Sequence, residues 1–372
     1  MSVSITHLFP DSPFLPFTVE LFEEAAPGRN TFLVYGLRGD LARHALPTDA
    51  RVEAIGVDAA ARAKASAAVE MGRIAVFHSV GAFAGRVLAE APKGVLKVWS
   101  GWGGDYYGST LRGVRGLLGP ETARYLRARR RPAGHARDVY RRVRQAPVLA
   151  SAARAADVFA APIPDDFDVF RRRFRGFRGR YAQLNYASVD VESMALRTPS
   201  GDGILLGNSA DPTNNHVETL ALLAEAGVNG RRVVTPLSYG DPAYADVVAR
   251  RGRELLGSDF LPLRDFLPPD EYARLVDGCS VVVMGHRRQQ GLGNVIQALL
   301  GGSHVVLHEH SPLARFFARE GVSIRTLQTL PSEGVPGGRP TEDEQRRNRA
   351  MIEGFWGRQR VVANVRELIT SA

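Results

Sequence analysis

Cysteine, lysine and long apolar runs are almost absent from this chain. A single cysteine, Cys279, among 372 residues excludes a disulfide framework and a cysteine-ligated zinc, and it fits a reducing compartment. No run of about 18 apolar residues occurs, so no segment reads as a bilayer-spanning helix. The opening MSVSITHLFPDSP lacks a basic start followed by a small-residue cleavage site, so export is not expected. No internal repeat stands out at a period of about 20 to 50 residues. With 44% hydrophobic and 23% charged residues, the composition is that of a globular protein, which excludes a disordered, collagen-like or heptad-dominated chain. The length suits two domains.

The net charge of +9 is unevenly spread. Lys64, Lys93 and Lys97 are the only lysines, against 45 arginines. Arg112 to Arg144 holds 11 arginines and two acids, Arg171 to Arg180 holds six arginines and no acid, and the remainder is net −6. This is a mildly acidic protein with a basic belt in its first half. Leu111, Val114, Leu117, Leu118, Tyr125 and Leu126 recur at roughly helical spacing among these arginines. That pattern suits an amphipathic helix on an anionic membrane surface, and a solvated arginine-rich face is the plain alternative.

Hydrophobic patterning predicts an α/β fold. Val3–Phe9, Thr31–Tyr35, Ile74–His78, Val95–Trp99 and Asp157–Ala161 read as strands apolar on both faces, separated by Ala- and Leu-rich helices. The alternation breaks over 162–200 and restarts with strands Gly203–Leu206, Arg232–Thr235, Asp259–Leu261, Ser280–Met284, His304–Leu307 and Ser323–Arg325. The expected organisation is a Rossmann-like domain over 1–165, a linker over 166–200, a second Rossmann-like domain over 201–340 and a helical tail over 341–372. Ligands of such doubly wound parallel sheets sit beyond the carboxyl ends of the strands, which directs attention to a cleft faced by both domains.

Three loops of the second half follow strands and open helices. In MGHRRQQGLGNVIQALLGG (284–302) the glycines Gly291 and Gly293 let backbone N–H groups approach an anion at a helix N-terminus. Arg287 and Arg288 add bidentate phosphate donors, while Gln289 and Gln290 offer neutral partners for hydroxyls or a base edge. The reading is a diphosphate cradle; the alternative is a tight turn with two solvated arginines. In GILLGNSADPTNNH (203–216), Asp211 before Pro212 suits a helix cap, which leaves Asn208 and Ser209 to touch phosphate or sugar. In TPLSYGDP (235–242), Tyr239 either stacks on a base or covers a strand end. Glu309, in HEHSP, ends another strand and is suited to a sugar hydroxyl; His308 and His310 beside it lack a further metal ligand.

In the first half, VLKVWSGWGGDYYG (95–108) surrounds Trp102 with glycines and follows it with Asp105, Tyr106 and Tyr107. Aromatic rings with one carboxylate suit a carbohydrate-facing loop, with Asp105 as general base, hydroxyl anchor or helix cap. His7 and His78 stand near strand ends, as structural histidines or as catalytic ones.

WSGWGGDYYG (99–108), LLGNSADPTNNHVETLALL (205–223), VVTPLSYGDPAYADVVARRG (233–252) and RRQQGLGNVIQALLGGSHVVLHEHSP (287–312) resemble the motifs of the TDP-N-acetylfucosamine:lipid II N-acetylfucosaminyltransferase family. The resemblance runs from Trp99 to Pro312 and is weak before residue 70 and after 330. It implies a GT-B glycosyltransferase that moves a deoxyamino sugar from a TDP-sugar to a polyprenyl-diphosphate-linked saccharide in surface polysaccharide assembly. It further implies a diphosphate site at Gln290, Gly291, Gly293 and Asn294, flanked by Asn208, Ser209 and Asp211. Tyr239 and Glu309 would line the nucleotide side, Asp105 would face the transferred sugar, and the N-terminal domain would face the acceptor. Commoner GT-B donor sites carry a glutamate before the glycines and another eight residues on; here Gln289 or Gln290 and Gln297 hold those places.

The expected mechanism needs no metal and no resident cofactor. Asp105 is the first choice of base, then His78, and Trp102, Tyr106 and Tyr107 are the acceptor-side aromatics. A bacterial cytoplasmic protein on the inner face of the membrane, held there through Arg112–Arg144, is expected, with no nucleic-acid partner. A nucleotide-sugar epimerase or hydrolase of the same architecture, and an arginine-rich nucleic-acid binder, remain as alternatives.

Overall fold

The computed structural model describes residues 4–37, 51–108, 116–129, 132–186, 189 and 199–371. The chain divides into two compact units: Met1–Gly113 with Pro132–Asp190 and Glu353–Ala372, and Val114–Arg131 with Val191–Ile352. The division is therefore not sequential. The first unit lends a segment to the second, and the chain's end returns to the first.

Seven strands build the first unit: β1 (Ile5–Pro10), β2 (Asn30–Tyr35), β3 (Arg51–Ile55), β4 (Ile74–His78), β5 (Leu96–Ser100), β6 (Val158–Ala161) and β7 (Arg180–Gln183). They form one sheet in the order β3-β2-β1-β4-β5-β6-β7, and every pairing is parallel. β4 is buried along its whole length because helices cover both sheet faces. The edge strand β3 is mostly exposed, and β7 begins at the last residue of the arginine run; neither is the continuous apolar run from which the sequence predicts a buried strand.

Helix Arg358–Thr370 completes this unit's core. Val361, Val362, Val365, Leu368 and Ile369 are buried in one cluster with Leu15, Val19 and Phe22. Arg358 bridges Glu20 at 2.8 Å and Glu24 at 2.6 Å. The expected helical tail is thus two helices, Glu342–Trp356 and Arg358–Thr370, and the second is a core element.

The second unit has β8 (Gly203–Leu206), β9 (Val233–Pro236), β10 (Phe260–Leu263), β11 (Cys279–Met284), β12 (His304–Leu307) and β13 (Arg325–Thr326). Its six-stranded sheet runs β10-β9-β8-β11-β12-β13, again wholly parallel. Chain order reverses between β8 and β11, and such a switch point is where open α/β sheets bind ligands.

Helix Pro120–Arg129 packs on this unit. Thr122 is fully buried, with its N–H and hydroxyl donated to Glu218 at 2.8 and 2.6 Å. Leu118 is buried and Tyr125 packs against the unit's core. Part of the apolar face expected to meet a membrane is therefore consumed by protein packing; Leu111 and Val114 lie outside the described residues.

Candidate active site

Two loops meet at the switch point of the second unit. After β8, Gly207 turns with φ +69°, and a Cβ there would lie 2.5 Å from the His216 ring and 2.8 Å from Asn214 Oδ1. Asp211 caps the next turn by accepting from Thr213 N and Thr213 Oγ1 at 2.8 and 2.5 Å. Ser209 is buried and accepts from Asn214 Nδ2 at 3.3 Å. Asp211, expected beside a phosphate, thus has its side-chain bonds within its own loop, while Ser209 is bonded both within the loop and to the Tyr239 hydroxyl. Asn208 remains half-exposed and accepts from Gln290 Nε2 at 3.4 Å.

After β11 the chain runs from Gly285 to Gly291. A Cβ on Gly285 would strike the Asn214 carbonyl and Thr219 hydroxyl at 2.5 Å, so the two loops can approach only at a glycine. Asn215 joins them: its amide donates to Gly285 O at 2.9 Å and to Leu117 O at 3.0 Å, and its Oδ1 accepts from Gly119 N at 2.8 Å. Gly291 then takes φ +68° and opens helix Leu292–Leu300, which no side chain caps. The first-turn N–H groups of such a helix, with the dipole behind them, suit a phosphate.

Around this terminus Gln290 accepts from Thr213 Oγ1 at 2.8 Å, Arg288 Nε donates to the same hydroxyl at 3.3 Å, and Gln289 is buried. Arg287 behaves differently from expectation. Its Nε donates to His308 Nε2 at 3.1 Å and its Nη1 to Leu118 O at 3.3 Å, which makes it a clamp between loops. Glu309 is exposed beyond β12, 3.8 Å from His310, and its N–H donates to Gln328.

A cavity of about 290 Å³ opens beside the same terminus, lined by Asn208, Pro236, Ser238, Tyr239, Leu263, Asp265, Phe266, Leu267, Tyr272 and Asn294. Asn294 Nδ2 donates to the Tyr272 hydroxyl at 3.4 Å, tying the helix start to the cavity wall. Tyr239 and Phe266 are 58% and 80% exposed, high for such large rings, and their faces suit a planar base. Sequence reasoning found Asn208, Tyr239 and Asn294. It missed Phe266 and Tyr272, which sit in a polar loop and an ordinary amphipathic helix with no motif about them.

The loop after β5 in the first unit departs further from expectation. Asp105 is buried and accepts three N–H bonds: Trp99 Nε1 at 2.7 Å, Trp102 N at 3.0 Å and Val80 N at 3.3 Å. Burial raises its pKa to about 6 against the pull of those bonds. Its geometry is that of a staple closing the loop, not of a base open to a substrate. His78 is buried against His7, Nε2 to Nδ1 at 3.2 Å, and burial holds its pKa well below the ordinary value, so it is a neutral core residue. Tyr106 and Tyr107 are also buried; Tyr107 donates to Asp166 at 2.7 Å, while Tyr106 packs edge-on against Phe159. Neither ring face is offered to an acceptor. Trp102 alone of this group is half-exposed, edge-on to Phe9 and Phe14.

Among the described residues, no group of three or more His, Cys, Asp or Glu side chains could hold a metal ion. No described helix is long and apolar enough to cross a membrane.

Residues 153–333 match the family of 4-alpha-L-fucosyltransferases, glycosyl transferase group 56. The chain is a glycosyltransferase, and residues 153–333 carry the similarity to that family. The matched span takes in β6, β7 and the second unit from Val191 to Glu333, including both loops of the switch point. Solved structures agree on the fold. Anabaena HepE, in complex with UDP and glucose, superposes with a TM-score of 0.64 at 14% identity over 100% of both chains. A glycosyltransferase from Rickettsia africae reaches 0.65 at 8% identity, covering 100% of this chain and 98% of that one. Sucrose-phosphate synthase from Thermosynechococcus elongatus gives 0.61 at 12% identity over 99% and 100%. The glycosyltransferase therefore has the GT-B architecture that the resemblance implies.

Proposed function

We propose that the second unit binds a TDP-linked deoxyamino sugar resembling N-acetylfucosamine, and that the enzyme transfers it to a polyprenyl-diphosphate-linked saccharide in surface polysaccharide assembly. The observation that carries this reading is the adjacency of the uncapped Gly291 helix start and the aromatic-mouthed cavity. The helix N–H groups take the diphosphate, and the cavity takes the base between Tyr239, Phe266 and Tyr272. Leaving-group charge is met by the helix terminus, Arg288 and the Gln290 amide, without a bound cation. HepE was solved with UDP and glucose, which supports a nucleotide sugar of the same general kind here.

For the acceptor side we propose a peripheral position on the anionic inner face of the bacterial cytoplasmic membrane. Helix Pro132–Ala155 exposes Val139, Tyr140 and Val143 beside Arg141, Arg142 and Arg144, a pairing of apolar and basic groups that suits an interface.

Calorimetry with TDP, UDP, GDP and ADP tests the donor site. TDP is expected to bind most tightly, and Gly291→Ala is expected to weaken it at least tenfold, a loss of about 1.4 kcal/mol, since a Cβ at φ +68° strains the turn that aims the amides. Failure of every nucleoside diphosphate to bind the folded protein would overturn the reading. Donor breakdown at full rate without a lipid-linked acceptor would favour a hydrolase or epimerase instead.

A further inference from the structure

We infer that the first unit carries a second anion site, built from Arg171, Arg172, Arg175 and Arg178, that binds phosphoryl groups. These four residues, with Asp168 and Phe177, line a cavity of about 380 Å³ at the end of helix Asp165–Arg173. Arg171 and Arg172 belong to the helix's last turn, where cations complement the dipole. That accounts for their presence but not for Arg175 and Arg178, which lie beyond the helix and face the same hollow.

Charge makes the hollow a site. None of the four guanidinium groups forms an ion pair with a described carboxylate, unlike Arg124, Arg264 and Arg358, which each hold one. Asp168 lines the cavity too, which leaves it net +3. Four like charges drawn around one space repel one another unless an anion enters, and the cost is recovered when one does. Two of the four are fixed in advance. Arg178 Nη1 donates to the carbonyls of Arg175 and Phe177 at 2.7 and 3.0 Å, and the Arg171 guanidinium stands 5.6 Å from the centre of the Phe167 ring. Planar guanidinium forks held this way match phosphoryl oxygens better than single carboxylates.

The ligand class follows from shape. An RNA or DNA strand would need a long basic track with ring faces for stacking. Here the charges converge on one concavity, and its aromatic, Phe177, is buried. A compact phosphoryl group fits, whether carried by a small soluble molecule or by a lipid headgroup. This inference does not depend on the donor site of the second unit.

The test compares the full-length protein with the double variant Arg172→Gln/Arg175→Gln, both in solvent-exposed positions. Four probes are used: inorganic pyrophosphate and a single-stranded RNA by calorimetry, and flotation with phosphatidylcholine vesicles with and without phosphatidylglycerol. Loss of pyrophosphate affinity by tenfold or more, with TDP binding and melting temperature unchanged, supports the site with a soluble source. Loss of phosphatidylglycerol-dependent flotation supports it with a headgroup source. If neither response changes in the variant, the inference is overturned. It is equally overturned if single-stranded RNA binds more tightly than either probe and with the same arginine dependence. Melting of the variant is read first, and if it falls, Arg175→Lys, which keeps the charge, must retain binding while Arg175→Gln loses it.

Discussion

Asp105 shows how a residue can be legible in kind and misread in task. Its position after a glycine-rich strand end marks it as special, and so it is: three N–H donors converge on one buried carboxylate. What the sequence cannot display is that Trp99 and Val80, one on β5 and one after β4, supply two of those donors. A base and a staple respond differently to substitution. Asp105→Ala leaves the Trp99, Trp102 and Val80 N–H groups unpaired in a buried place and is expected to lower the first unit's stability by about 1–3 kcal/mol, seen as earlier melting in tryptophan fluorescence, with TDP affinity unchanged. Asp105→Asn keeps one acceptor oxygen and sheds the charge whose burial is unfavourable, so its turnover with a lipid-linked acceptor is expected to stay within tenfold of the parent. A loss beyond about a hundredfold at unchanged melting would restore Asp105 as the base. Tyr106 and Tyr107 teach the same lesson, because a Gly-Asp-Tyr-Tyr string looks like a sugar loop until Phe159 and Phe170 are seen packed against Tyr106. In the second unit Asn208, Gln290 and Gly291 lie together at the switch point, and the φ +68° glycine at a helix start leaves its mark in the sequence itself.

At the level of elements, what was legible is what is buried by its own pattern. β4, β8, β11 and β12 are continuous apolar runs and are recognised to within a residue or two. β3 and β7 are not, and helix Pro120–Arg129 is legible as a helix but not in what it packs against, because that is set by partners far along the chain. Glu218, 96 residues away, receives the start of that helix. Helix Arg358–Thr370 is the most consequential case, since its polar face suggests a tail while its other face is core. Leu368→Ala removes a side chain packed in the cluster of Phe22 and Val365 and is expected to destabilise the first unit by about 2–5 kcal/mol. Urea unfolding followed by tryptophan fluorescence measures it. A change below 0.5 kcal/mol, the size usual for surface sites, would show that the helix is dispensable and the tail reading sound.

For the molecule as a whole, acid divides the two units. In the second, burial lowers the pKa of His216 to about 3 and of His308 to about 4, and holds His286 well below its ordinary value. Groups whose folded pKa is depressed contribute stability above their unfolded value of about 6.5 that is lost as the pH falls. The first unit has two such histidines, His7 at about 3 and His78 well below the usual range. It also has two carboxyls shifted the other way by burial, Asp105 to about 6 and Asp166 to about 7. Raised carboxyls contribute stability at low pH that is lost as the pH climbs through those values, so between about pH 6 and 4 the two pairs offset one another. The second unit has four histidines lowered by burial, His304 among them, and no described carboxyl raised to offset them, so its stability falls more steeply as the pH drops. All three tryptophans, Trp99, Trp102 and Trp356, belong to the first unit. Acid titration should therefore show loss of far-ultraviolet helical signal near pH 4–5 while tryptophan fluorescence holds until lower pH, and TDP should shift only the earlier transition. Coincident transitions in both signals, unmoved relative to each other by TDP, would refute this division of acid sensitivity.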